Sequence, residues 1–270
     1  MTTTDADEPD ENRSANRGAT VQSVERAVSI LEFLARNGWS GVTELGDELG
    51  VHKSTAFRLL TTLEQRGLVE QHDESGLYHL GFGLVHLARA VTVGPDLTRR
   101  AKPGCEWLAR QSEETVTLSV LDGDECVTVD QIISTSSVVS RSWLGRRTPL
   151  HCTSPGKVFL AFMPASRRRE LISGPLKRYT SNTIVDPQQL GTEIDVVRAD
   201  DFATTVEELE EGLSSIAAPV RAADGTVIAT IELSGPSYRF DDTRLSEAVP
   251  QVLEAAARAS ARFGHSGASE

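Results

Sequence analysis

From Val21 onward, apolar residues recur at helical spacing. Val24, Ala27, Val28, Leu31, Leu34 and Ala35 lie three and four apart and define the buried face of a first helix. Asn37-Gly38 closes that helix as a C-cap pair. A short second helix is predicted with Thr43 as its N-cap, Leu45 and Leu49 on its buried side, and Gly50 as its stop. A third runs from Ser54 to Arg66 and is closed by Gly67. In LVEQHDESGLYHLG, the apolar Leu68, Val69, Leu77, Tyr78 and Leu80 flank a polar turn at Asp73–Gly76, which reads as a β-hairpin. Helix, short helix, turn, helix and hairpin in succession form the outline of a winged helix-turn-helix.

A further apolar-periodic helix spans Phe82 to Val93, and Gly94-Pro95 is expected to break it and mark the connection between domains. Another helix covers Leu97 to Gln111. The pattern then changes. Thr115–Leu121 and Glu125–Ile133 are β-rich runs about the hairpin signal Asp122-Gly123-Asp124. Ser154–Phe162 and Gln188–Arg198 read as helices, Ser215–Val220 and Thr226–Leu233 as strands about Ala223-Asp224-Gly225, and Thr243–Phe263 as the last helix. Strands interspersed with helices and hairpins predict an α+β domain, not a regular βαβ series. The expected organisation is a disordered tail at 1–20, the winged helix-turn-helix at 21–81, a linker helix at 82–95, the α+β domain at 96–263 and a tail at 264–270.

Composition narrows the function classes. The 270 residues suffice for two domains. No apolar run approaches the ~18–20 residues of a membrane span, and the acidic, polar N-terminus lacks the apolar core of a secretory signal. The expectation is a soluble, cytoplasmic protein. Three separated cysteines, Cys105, Cys126 and Cys152, argue against a disulfide framework, and no CxxC or paired His/Cys spacing offers a metal site. No metal or cofactor is expected. The net charge of −12 speaks against nucleic acid only if charge is taken as uniform, because only the face that meets phosphate must be positive.

The third helix carries such a face. With Leu60 at the centre of its buried side, Ala56, Leu63 and Phe57 fall beside it, while Ser54, Thr55, Arg58, Thr61, Thr62 and Gln65 point outward. An arginine can bridge guanine O6 and N7, and hydroxyls reach bases or phosphate. Lys53, just before the helix, is placed for a phosphate oxygen. Gln71 and His72 in the hairpin either reach the duplex or form an exposed tip. An enzyme is the rival class. His151 and Cys152 are adjacent, however, so on a strand they face opposite ways, and SPGKVF lacks the spacing of a phosphate loop.

VQSVERAVSILEFLA, VTELGDELGVHKSTAFRLLTTLEQRGLVEQ and YHLGFGLVHLA resemble the DNA-binding half of IclR-type transcriptional regulators. PLHCTSPGKVFLAF, EELEEGLSSIAAPV and VIATIELSGP continue the resemblance in order, from about Val21 to Phe263. It implies a winged helix-turn-helix joined by a linker helix to a GAF-like α/β effector-binding domain. It also implies a dimer or tetramer on palindromic double-stranded operator DNA, often as a repressor, under the control of a small organic molecule that is frequently a carboxylate. The helix from Val21 and the linker helix are the candidate dimer contacts. The implied pocket takes Ser154, Pro155 and Gly156 at a helix start, Thr205, then Ser215 and Glu232 on the late strands, with Ser137 and Ser140 on a covering segment. This chain departs from the pattern: family members carry an acidic residue where Thr205 stands, a small or thiol residue at Ser215 and a hydroxyl at Glu232. A glutamate there would repel a carboxylate unless protonated or paired, so the expected effector is not a simple monocarboxylate and carries hydroxyl or amino groups. The alternatives are that Glu232 faces solvent, or that the second domain only oligomerises and binds no ligand.

Overall fold

The computed structural model describes residues 21–89, 94–133 and 142–266; the segment predicted as a tail at 1–20, residues 267–270, and Ser137 and Ser140 lie outside them. The chain divides into two compact units between Thr92 and Val93.

The first unit comprises α1 (Gln22–Asn37), α2 (Val42–Glu48), α3 (Lys53–Gln65), the antiparallel hairpin β1 (Val69–Gln71) and β2 (Tyr78–Leu80), and α4 (Gly83–Arg89). Its core joins Ile30, Phe33 and Leu34 of α1 to Leu45, Leu60, Leu63, Val69 and Tyr78. The predicted face of α1 holds at Leu34, with Ala27 and Leu31 packed beside the core, but Ile30 and Phe33 join it, while Val24 and Val28 are 59% and 47% exposed. Only the second half of α1 packs on the core, so a stripe that the sequence assigns to the interior is left on the surface. Gly41, not Thr43, is the N-cap of α2. At the end of α3 the chain turns through Gly67, at φ +66°, and Gly81 then passes so close that a Cβ there would lie 2.3 Å from the Gly67 carbonyl oxygen. That crossing requires glycine at 81.

The second unit comprises α5 (Gly94–Ser112), β3 (Thr115–Asp122), β4 (Glu125–Ile132), β5 (Arg147–Pro149), α6 (Ser154–Phe162), α7 (Ala165–Ile172), α8 (Pro187–Asp200), β6 (Ala203–Val206), β7 (Leu213–Arg221), β8 (Val227–Pro236) and α9 (Asp242–Ala261). Gly94-Pro95, expected to break the helix from Phe82 and mark the connection between domains, stands in the first turn of a new helix, α5, beside the division of the two units. Proline in a first turn forgoes only an N–H that has no partner within the helix. The strands form one sheet in the order β5-β4-β3-β8-β7-β6, antiparallel throughout. On one face, Val116, Leu118, Ile216, Ile231 and Leu233 pack against α5 and α9. On the other, Ala217 joins Val158, Phe159, Leu190 and Ile194 of α6 and α8. Because side chains alternate along a strand, Thr117, Ser119, Ser215, Glu232 and Ser234 point away from the α5–α9 layer, toward the start of α6. Among the described residues no helix is long and apolar enough to cross a membrane.

Candidate functional site

In the first unit the polar face of α3 is the leading candidate for contact with a partner. Ala56, Leu60 and Leu63 bury one side, which turns Lys53, Ser54, Arg58 and Thr62 to solvent and leaves Thr55 and Thr61 half-buried. Phe57, expected inside, is 52% exposed, because those three residues already fill the seam beneath the helix. His52 caps α3 through its Nδ1, which lies 2.9 Å from the Ser54 hydroxyl. Thr61 and Thr62 donate their hydroxyl protons to the carbonyls of Phe57 and Arg58, at 3.0 and 2.9 Å. Each hydroxyl then has only lone pairs, and each methyl group, to offer a partner. Among the described residues, neither Lys53 nor Arg58 makes an ion pair or side-chain hydrogen bond. Gln71 donates from Nε2 to the Gly76 carbonyl at 2.9 Å and so braces the hairpin turn. Trp39 packs edge-on against His72 and His79 of the same hairpin.

In the second unit the sheet face beneath α6 opens into a cleft. Glu232 is central to it. Strand register sets it between Thr117 of β3 and Ala217 of β7. Its Oε2 accepts from Thr117 Oγ1 at 2.8 Å and its Oε1 from Ser154 Oγ at 3.1 Å. Ser154 lies 2.8 Å from Ser215, which lies 2.8 Å from Thr205. A hydroxyl has one proton to give. When Glu232 is ionised, Ser154 and Ser215 turn their protons toward it, and Thr205 then donates to Ser215. Glu232 keeps part of its surface open to the cleft although it lies deep in the fold. Burial pushes its carboxyl up, against the opposing pull of the hydroxyls of Thr117, Ser215 and Ser154.

The structure brings Pro155, Thr205, Ser215 and Glu232 to the cleft wall, with Ser154 directly behind through its hydrogen bonds. Gly156 is placed differently. Its N–H is taken by the Thr153 hydroxyl that caps α6, and a Cβ on it would lie 2.2 Å from the Leu150 carbonyl oxygen. It lets α6 approach that backbone and presents no free donor. Ser119, Thr128, Trp143, Thr148 and Ser234 also line the cleft and were not singled out from the sequence. The alternation of Thr117 and Ser119 with Val116, Leu118 and Val120 was the available signal for a polar strand face. His151 donates from Nε2 to the Lys177 carbonyl at 2.9 Å, and burial lowers its pKa. The Cys152 thiol is pushed up to about 12 by burial. That is the opposite of an activated nucleophile.

Comparison with known proteins points one way. Residues 23–73 match the IclR helix-turn-helix domain, and residues 89–261 match the bacterial transcriptional regulator IclR C-terminal family. The HTH-type transcriptional regulator KdgR of Escherichia coli (strain K12) is 36% identical over 247 residues, 91% of this chain and 94% of that protein. The HTH-type transcriptional repressor AllR of Klebsiella pneumoniae is 34% identical over 253 residues, 93% and 92%. An IclR homologue from Microbacterium hydrocarbonoxydans, solved in complex with 4-hydroxybenzoate, superposes with a TM-score of 0.77 over 89% of this chain and 98% of that one. At 24% identity that last likeness is one of fold.

Proposed function

The chain belongs to the IclR family of bacterial DNA-binding transcriptional regulators, and on that premise we propose that it is a cytoplasmic operator-binding repressor controlled by a small molecule in the cleft of its second unit. These relatives are regulators, not enzymes. The repressor assignment draws on AllR, which is named as one. In this reading α3 enters the major groove, with Arg58 on a guanine edge and Lys53 on phosphate. Ser54 and Thr55 take phosphate at the amino end of the helix, and the methyl groups and lone pairs of Thr61 and Thr62 meet bases. Gln71 stiffens the wing. The chain acts as a homo-oligomer on a palindromic operator, one helix to each half-site. Its contact uses the exposed stripe of Val21, Val24 and Val28 at the start of α1, together with Phe82, Val85 and Leu87 at α4, apolar residues left exposed among the described residues. In the cleft, Ser154, Pro155, Thr205, Ser215 and Glu232 meet the effector.

The observation that carries this reading is the pair of exposed cations on α3, Lys53 and Arg58, without a partner among the described residues, on a helix whose opposite side is built into the core. Gel-shift titration with DNA from upstream of the protein's own gene tests it. Arg58→Ala should weaken specific binding by about 1–3 kcal/mol and relax base preference. Lys53→Ala should weaken binding to all sequences alike and lower the salt slope by about one. Wild-type affinity in Arg58→Ala would show that another element reads the operator.

A further inference from the structure

We propose that the cleft accepts a neutral, multiply hydroxylated small molecule, an aldose or polyol of a few carbons, and that Glu232 rejects the carboxylate analogues of such a ligand. The inference rests on the effector reading above and names the ligand class for that same site.

Three observations on the cleft lead to it. The first is the direction of the hydroxyl network. With Glu232 ionised, the hydroxyls of Thr205, Ser215 and Ser154 give their protons toward it, so what the network presents to a ligand is the lone pairs of Thr205 and the open edge of the carboxylate. A ligand there must donate. A carboxylate has only acceptors and would meet acceptors. The second is the charge of the wall. Among the described residues that line the cleft there is no arginine, lysine or histidine, and Glu232 is the one carboxylate, so a second negative group beside it meets like charge. At the amino end of α6, three of the first four positions have no N–H to give. Pro155 has no N–H, the Gly156 N–H is taken by the Thr153 hydroxyl, and the Lys157 N–H by the Thr153 carbonyl. Glu232, reached through Ser154, already stands where that helix end would draw an anion.

The third observation separates a polyol from an amine. Ser119, Thr128, Thr148 and Ser234 add further hydroxyls to the wall, each able to give as well as take a proton. An ammonium has donors alone and would leave the donors of these groups without partners; a ligand hydroxyl satisfies either role. The aromatic ring that could hold an organic cation, Trp143, already carries the Arg146 guanidinium 4.5 Å from its centroid.

The test compares matched pairs that share a carbon skeleton and differ in charge: glycerol with glycerate, D-glucitol with D-gluconate, D-glucose with D-glucosamine. Each is titrated calorimetrically into the full-length protein and followed by thermal unfolding. At least one neutral member should bind and raise the midpoint with dose, and should bind about tenfold or more tightly than its charged partner, the discrimination of one unit of electrostatic mismatch. Glu232→Gln should shrink the preference for glucitol over gluconate, or glycerol over glycerate, by about tenfold. The wild-type comparison stands by itself if that variant fails to fold. Equal or tighter binding of the acid or the amine overturns the proposal, as does the failure of all three neutral compounds to bind. The same compounds added to the protein–operator complex keep this inference apart from the regulatory one. Release of DNA by gluconate would remove the ligand class and leave effector control standing. A polyol that binds without changing operator affinity would do the reverse.

Discussion

At Glu232 burial opposes ionisation while three hydroxyls favour it, and burial is the larger effect, so the folded protein holds this proton to higher pH than the unfolded chain does. Glu208, where burial outweighs the pull of Lys157, has the same sign. Between the ordinary glutamate value and the raised one the folded state binds more protons, so stability falls as pH rises through that window and levels off above it. Glu232→Gln cannot ionise. It should lose part of that fall and gain stability relative to wild type at neutral pH, read as a flatter profile of midpoint temperature against pH. A profile parallel to that of wild type would mean that Glu232 ionises as it does in the unfolded chain. Residues of this kind were partly legible beforehand. Ser154, Thr205, Ser215 and Glu232 sit in recognisable motifs, and they meet in one hydrogen-bonded chain. Thr117 escaped notice because the period-two pattern of β3 shows that a polar face exists but not what covers it. Gly156 belongs to the implied pocket by its motif, whereas its role is steric, which spacing alone does not distinguish.

Helix α6 is buried from Ser154 to Ala161, including Lys157 in its middle, and a cation so placed must be paired. It meets Glu193 of α8 and, at 2.5 Å, Glu208 in the connection between β6 and β7. The ion pairs thus tie α6 to the segment that carries Leu209 and Leu213 to the cleft wall. Lys157→Met keeps the shape of the stem and strands Glu208 without its cation. It should cost about 3–5 kcal/mol in urea unfolding, and adding Glu208→Gln should restore much of that. A single variant as stable as wild type would mean that Glu208 takes up a proton at no cost. The elements with strong local signals were legible. The bounds of α6 follow from its capping Thr153, Pro155 in the first turn and the apolar run after it. Helix α7, ASRRRELI, has no buried residue and hence no apolar stripe to read, and β5 and β6 are too short to show a period. The face of α1 was misjudged in part, for a related reason: periodicity marks which residues are apolar, not how much of the helix lies over the core.

For the whole molecule, a net charge of −12 must coexist with a DNA-binding surface, and α3 shows how: Lys53, Arg58 and the capping Arg66 outnumber Glu64 on one short helix. Positive potential confined to so small a region makes operator binding sensitive to salt and weak on arbitrary sequence. Recognition by the first unit and ligand capture by the second then have to be linked, and the division at Thr92 gives a way to measure that link. Trp39 lies in the first unit, in contact with the wing histidines, while Trp107 and Trp143 lie in the second. Fluorescence melts of Trp107→Phe/Trp143→Phe therefore follow the first unit, and melts of Trp39→Phe the second. Operator duplex at about a hundred times its Kd should stabilise the first by roughly 2.7 kcal/mol. A cleft ligand should raise the midpoint of the second. Linkage is reciprocal, so if the cleft controls the operator, bound DNA must change ligand affinity by the same factor that ligand changes DNA affinity, typically about 5–150-fold. Unequal factors in the two titrations would mean that one ligand also binds elsewhere. A single melting temperature for both reporters, moved alike by both ligands, would show that the two units unfold as one body.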